Sequence, residues 1–139
     1  MLTELFVADL DRALELVEDG PAEADDVPAV LAKSLTEVTL ASLHRIAVTP
    51  DTAALEGEVT APVSVDRWEG PWLQVVADHV TAAIAAISDD RLHAVTRAWA
   101  ETEEWQYATA DELAPLVRSL REVARQASPQ RRLYLWTCL

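Results

Sequence analysis

The chain has 139 residues, half of them apolar, with five tryptophans and a formal charge of −13 from 24 acids against 11 bases. That length and that share of core formers argue against an intrinsically disordered chain and fit a single globular domain over residues 1–139. The lone Cys138 excludes an internal disulfide or a cysteine-based metal site, and the acidity argues against a nucleic-acid partner.

Thr3–Ala8 is short, apolar and β-prone, and predicts an opening strand. Asp9 is placed to cap a helix with Leu10, Ala13, Leu14 and Val17 inward, stopped by Gly20-Pro21. An acidic loop follows, then a short strand at Ala29–Lys33. Ser34 and Glu37 have the spacing of a capping box and predict a helix from there to about Ala47, with a turn at Pro50-Asp51.

Glu58–Val65 alternates, with Val59, Ala61, Val63 and Val65 on one face, and Pro62 assigns it to a sheet edge. Arg67–Trp72 reads as the turn of a hairpin whose second strand is Leu73–Ala77, a single helix from Trp72 to Ile87 being the alternative. Asp78 is expected to cap a helix with Val80, Ala83, Ile84 and Ile87 on one face. Ser88-Asp89-Asp90 starts another, with Leu92, Val95 and Trp99 inward and its end near Thr102. Thr109 and Glu112 form a second capping box, although Pro115 favours a start nearer Asp111. The stripe Leu113, Leu116, Val117, Leu120, Ala124 and Ala127 marks that helix. Arg132–Leu139 is apolar on both faces, which predicts a covered strand in the middle of the sheet. The expected fold is therefore α+β, with a small mixed sheet and about five helices packed mainly on one face.

No nucleophile elbow, phosphate-binding loop or dinucleotide fingerprint occurs, so no catalytic residue, metal site or cofactor is assigned. The three histidines, His44, His79 and His93, form no ligand pair of metal-site spacing, and His44 is expected to be a hydrogen-bonded core residue. Asp89 and His93 share a helix face, a pair too small to hold a metal. Cys138 shares a strand face with Tyr134 and Trp136 and is expected to be buried.

Two sets of residues could bind something. Trp99, Glu103, Glu104, Trp105 and Tyr107 place carboxylates between aromatics, which suits a small ligand or, as the plainer alternative, a packed corner with its charges in water. Trp68 and Trp72 lie in the hairpin turn, and Arg118, Arg121 and Arg125 lie off the apolar stripe of the last helix; these five are candidates for contact with a protein partner. Nine acids fall in residues 1–26 against Arg12 alone, and five arginines fall in residues 118–132 against Glu122 alone, so ion pairs between the last helix and the first are expected.

The segments L-T-E-L-F-V-A, A-K-S-L-T-E-V-T-L-A-S-L-H, A-W-A-E-T-E-E-W and the closing L-Y-L-W-T-C-L resemble a group of small acidic bacterial proteins with no assigned activity. The resemblance implies an integral domain and carries over no site. The opening M-L-T-E lacks a basic segment ahead of an apolar run, and no apolar stretch reaches the roughly 18 residues that span a bilayer, so a cytoplasmic protein without a membrane partner is expected. The function expected from these features is a protein-interaction or regulatory, immunity-like module with a basic partner, homo-oligomerisation being open. A small-molecule binder or enzyme using the Trp99, Trp105 and Tyr107 corner is the alternative.

Overall fold

The computed structural model describes residues 1–49 and 57–139, so the turn expected at Pro50-Asp51 lies outside the described residues. Five strands, β1 (Leu2–Ala8), β2 (Ala29–Lys33), β3 (Thr60–Ser64), β4 (Trp72–Val76) and β5 (Arg132–Cys138), form one sheet in the order β2-β1-β5-β4-β3. Every pairing is antiparallel, so the α+β class holds while the expected mixed sheet does not. The helices are α1 (Leu10–Glu15), α2 (Glu37–Val48), α3 (Asp78–Ala85), α4 (Asp89–Ala100) and α5 (Ala110–Arg125). β5 lies in the centre and Pro62 on an edge strand, as the sequence predicts.

The strand period sorts side chains to two faces. On β1, Leu5 and Val7 join the large core beneath α2–α5, and Phe6 and Ala8 join a smaller one beneath α1. Leu133 and Leu135 of β5 belong to the first core, Tyr134 and Trp136 to the second. α5 packs on β1 and β2 between α3 and α4, whereas α2 rests on α3 and α4. α2 therefore stands off the sheet, and the helix-side surface of β4 is left partly open.

Several local expectations shift. α1 ends at Glu15, so Leu10 and Leu14 are exposed while Ala13, Leu16 and Val17 turn inward. Gly20 adopts φ 78°, and a Cβ there would stand 2.9 Å from the Trp136 ring, which explains why only glycine ends this turn. The Trp136 indole N–H donates to Val17 O at 2.8 Å and ties the turn to β5.

Ser34 does not cap α2. It takes φ 63°, which turns the chain so that Leu35 is fully buried, and Thr36 becomes the cap. Thr36 accepts from Val38 N and Thr39 N, and Thr39 Oγ1 accepts from Thr36 N at 2.8 Å, a capping box set two residues later than the sequence suggests. Asp78 is the first residue of α3 rather than its cap. α5 starts at Ala110 with Thr109 as its cap, so the Thr109–Glu112 box forms and Pro115 falls inside the helix; the missing N–H leaves the exposed Asp111 carbonyl to solvent. β3 carries a register shift between Pro62 and Ser64, so Val63 faces the smaller core while Val65 faces the helix side.

Candidate functional site

The aromatic corner is mainly core. Trp99 is fully buried, donates to Thr39 O at 3.1 Å and meets Trp105 edge-on at 5.0 Å between ring centroids. Trp105 is partly buried and its indole N–H has no partner among the described residues. Glu103 and Glu104 are exposed, and Tyr107 is 93% exposed. The five residues do not share one wall, because Trp99 is sealed beneath Trp105 while Tyr107 stands in water.

The C-terminal arginines also differ from expectation. Arg121 is 7% exposed and caps the end of α3, donating to Ile87 O at 3.2 Å and pairing with Asp89 at 2.8 Å. Arg125 donates to Ala85 O at 2.9 Å and to Ile87 O at 3.2 Å. Arg125 satisfies the last carbonyl of α3, both guanidiniums hold the Ile87 carbonyl in the turn that follows, and only Arg118 stays clear of such a role. None of the three reaches α1. The acids of that region are held instead by Arg12, at 2.7 Å from Asp26, and by Arg67, at 2.7 Å from Glu18. The hydrogen bond from Arg12 keeps the Asp26 carboxyl below its ordinary range.

The hairpin turn gives more. Trp68 is 93% exposed. Trp72 donates its indole N–H to Arg67 O at 2.7 Å, and its ring is backed by Gly70, where an added Cβ would lie 3.3 Å away. Glycine is required there twice over, by that approach and by φ 78°. The same ring lines a hollow of about 490 Å³ together with Met1, Thr36, Glu37, Val38, Val65, Gln74 and Thr137. A second hollow, of about 470 Å³, shares Glu37 and Val38 and continues along Ala41, Gly57, Glu58, Val59 and Thr60. The two make one groove between α2 and the β3–β4 hairpin. It exists because α2 rests on other helices rather than on the sheet. Among the described residues, Glu37 borders both hollows, Glu58 borders the second alone, and Met1, the first residue of the chain, borders the first.

Comparison with protein-family models, curated proteins and solved structures finds no match. The site is therefore read from its chemistry alone.

Two buried titratable groups stand apart from the groove. Glu4, on β1 between Leu31 and Trp136, is 3% exposed with no ion-pair partner among the described residues, and burial raises its pKa. His44 is 3% exposed and edge-on to His79, with 5.2 Å between ring centroids. Its Nε2 has no partner among the described residues, which corrects the expected hydrogen-bonded histidine; burial first, then the neighbouring His79, lowers its pKa. Asp89 is engaged by Arg121 rather than by His93. Cys138 is half-buried on the Trp136 face.

Sequence reasoning singled out Trp72 but missed Glu37, Val38, Glu58, Gln74 and Thr137. No periodicity in the chain reports that a helix start and a hairpin far apart in sequence meet across a gap. The one available signal was the tryptophan placed beside Gly70-Pro71.

Proposed function

We propose that the protein is an interaction module for a basic protein partner. The observation that carries the reading is an imbalance in how charges are used. Six of the ten arginines, Arg12, Arg67, Arg91, Arg121, Arg125 and Arg132, are committed to carboxylates or backbone carbonyls of the chain itself. Only six of the 24 acids, Glu15, Glu18, Asp26, Asp78, Asp89 and Glu122, enter ion pairs among the described residues. The surplus of negative charge is left on the surface, where it steers a cationic partner and repels an anionic one. Trp68, projecting from the hairpin, supplies the kind of exposed aromatic that anchors interfaces. No helix among the described residues is long and apolar enough to cross a membrane.

Calorimetric titration with two peptides of equal length, one alternating arginine with leucine and one alternating glutamate with leucine, tests the reading. Only the basic peptide is expected to bind. Its affinity should fall at least about tenfold between about 20 mM and about 300 mM salt, as the screening length contracts from about 20 Å to about 6 Å. Equal binding of both peptides, or of neither, contradicts the reading.

A further inference from the structure

We infer that the contact between α2 and α3 is an acid-operated latch: protonation of His44 parts these two helices while α2 stays attached to α4. The inference does not depend on the partner reading above.

α2 rests on α3 and α4 rather than on the sheet, and the two seams are built differently. Toward α4, the Trp99 indole N–H donates to Thr39 O at 3.1 Å near one end of α2, and Arg91 donates to Ala47 O at 3.0 Å near the other. Toward α3, no hydrogen bond or ion pair forms among the described residues. That seam is apolar packing plus the edge-on contact of the His44 and His79 rings.

His44 is the weak point of the second seam. It is 3% exposed and its Nε2 has no partner among the described residues, so a proton there makes a buried cation with an unsatisfied donor. No neighbouring group relieves that charge. From α3, His79 is itself a base, and Asp78 beside it is held by Arg132 at 3.0 Å. From α4, the hollow along the α2 seam is lined by one charged group, Arg91, which is a cation. On α2 itself, Arg45 is exposed and cationic, and the exposed Glu37 lies about 10 Å back along the helix. Ahead of β3, Glu58 is exposed, and Gly57 beside it approaches the His79 ring rather than His44. Of these groups it is His79 whose charge bears on the His44 ring, and it opposes a proton there.

Parting the helices lets water reach the ring. The sheet and α5 need not move, because α2 does not rest on the sheet and its ties to α4 lie away from this seam, so the opening is local rather than global. A helix of 12 residues freed along one side is marginal in water, and its amides then exchange with solvent.

The test is amide hydrogen exchange of the isotopically labelled full chain at about pH 7.5 and about pH 5, on either side of histidine titration, with rates corrected for the intrinsic effect of pH. Protection of α2 should fall at least about tenfold relative to α5, while the Trp99 indole N–H keeps its protection. The ring carbons of His44 should titrate over the same pH range in which α2 opens. His44→Phe, which fills the site with a ring that takes no proton, should keep α2 protected at the lower pH. Undiminished protection of α2, or an equal loss in α2 and α5, would overturn the latch. Loss of the Trp99 indole protection together with α2 would overturn the hold on α4. Opening of the phenylalanine variant like the wild type would remove His44 from its role. Should that variant not fold, the ring titration decides, because opening while His44 is still neutral rejects the inference.

Discussion

Glu4 is a residue whose environment works against it. Its side chain stands between Leu31 and Trp136 on a sheet face, nearly out of water, and no cation is brought to it among the described residues. A carboxylate so placed disfavours its charged form, so its folded pKa lies above the ordinary 4.5. Stability from this group is then fully present below pH 4.5 and is lost as pH rises through the folded value. Glu4→Gln should accordingly raise stability at pH 7, where the native side chain would otherwise be held as a charge nearly out of water. The gain should vanish below pH 4.5, which urea unfolding at the two pH values would measure. His44 acts with the opposite sign. Its lowered pKa means that stability is present above pH 6.5 and declines as pH falls past it, because the unfolded chain takes up a proton that the buried ring refuses. Neither residue was legible in the sequence as a strained group. Alternation shows which face a strand residue takes, but not whether a partner will be waiting there.

The elements are legible in the sequence where a single pattern decides them. The central β5, the edge position of Pro62, the α5 stripe and the inward Leu92, Val95 and Trp99 all follow from periodicity and from proline's missing donor. They are not legible where two local signals compete. The Ser34–Glu37 spacing looks like a capping box, yet burial of Leu35 requires the chain to turn at Ser34, and the cap passes to Thr36. Two substitutions distinguish these roles. Thr36→Ala removes the acceptor for two amides and should cost about 1 kcal/mol. Ser34→Gly relieves a left-handed serine and should not destabilise; a loss as large as that of Thr36→Ala in thermal unfolding would return the cap to Ser34. The arginines of α5 show the same limit. Their spacing placed them off the apolar stripe, but not that α3 would end beneath Arg121 and Arg125 with its carbonyls unpaired.

For the whole molecule, the placing of charge matters more than its sum. Most arginines are spent on the chain's own carboxylates and carbonyls, most acids are left without an ion pair among the described residues, and α2 stands away from β4 so that Glu37 borders a hollow lined by Trp72 and Gln74 and a second one lined by Glu58. If binding followed net charge alone, every exposed carboxylate would count equally; if the groove is the site, position decides. The measurement that separates these compares two double variants of equal charge change, Glu37→Gln with Glu58→Gln against Glu23→Gln with Asp25→Asn, by calorimetry with the same arginine-containing peptide. The groove pair should lose about tenfold in affinity and the loop pair less than about twofold. Equal losses would mean that the acidic surface acts only as a diffuse field and that the groove is not the site.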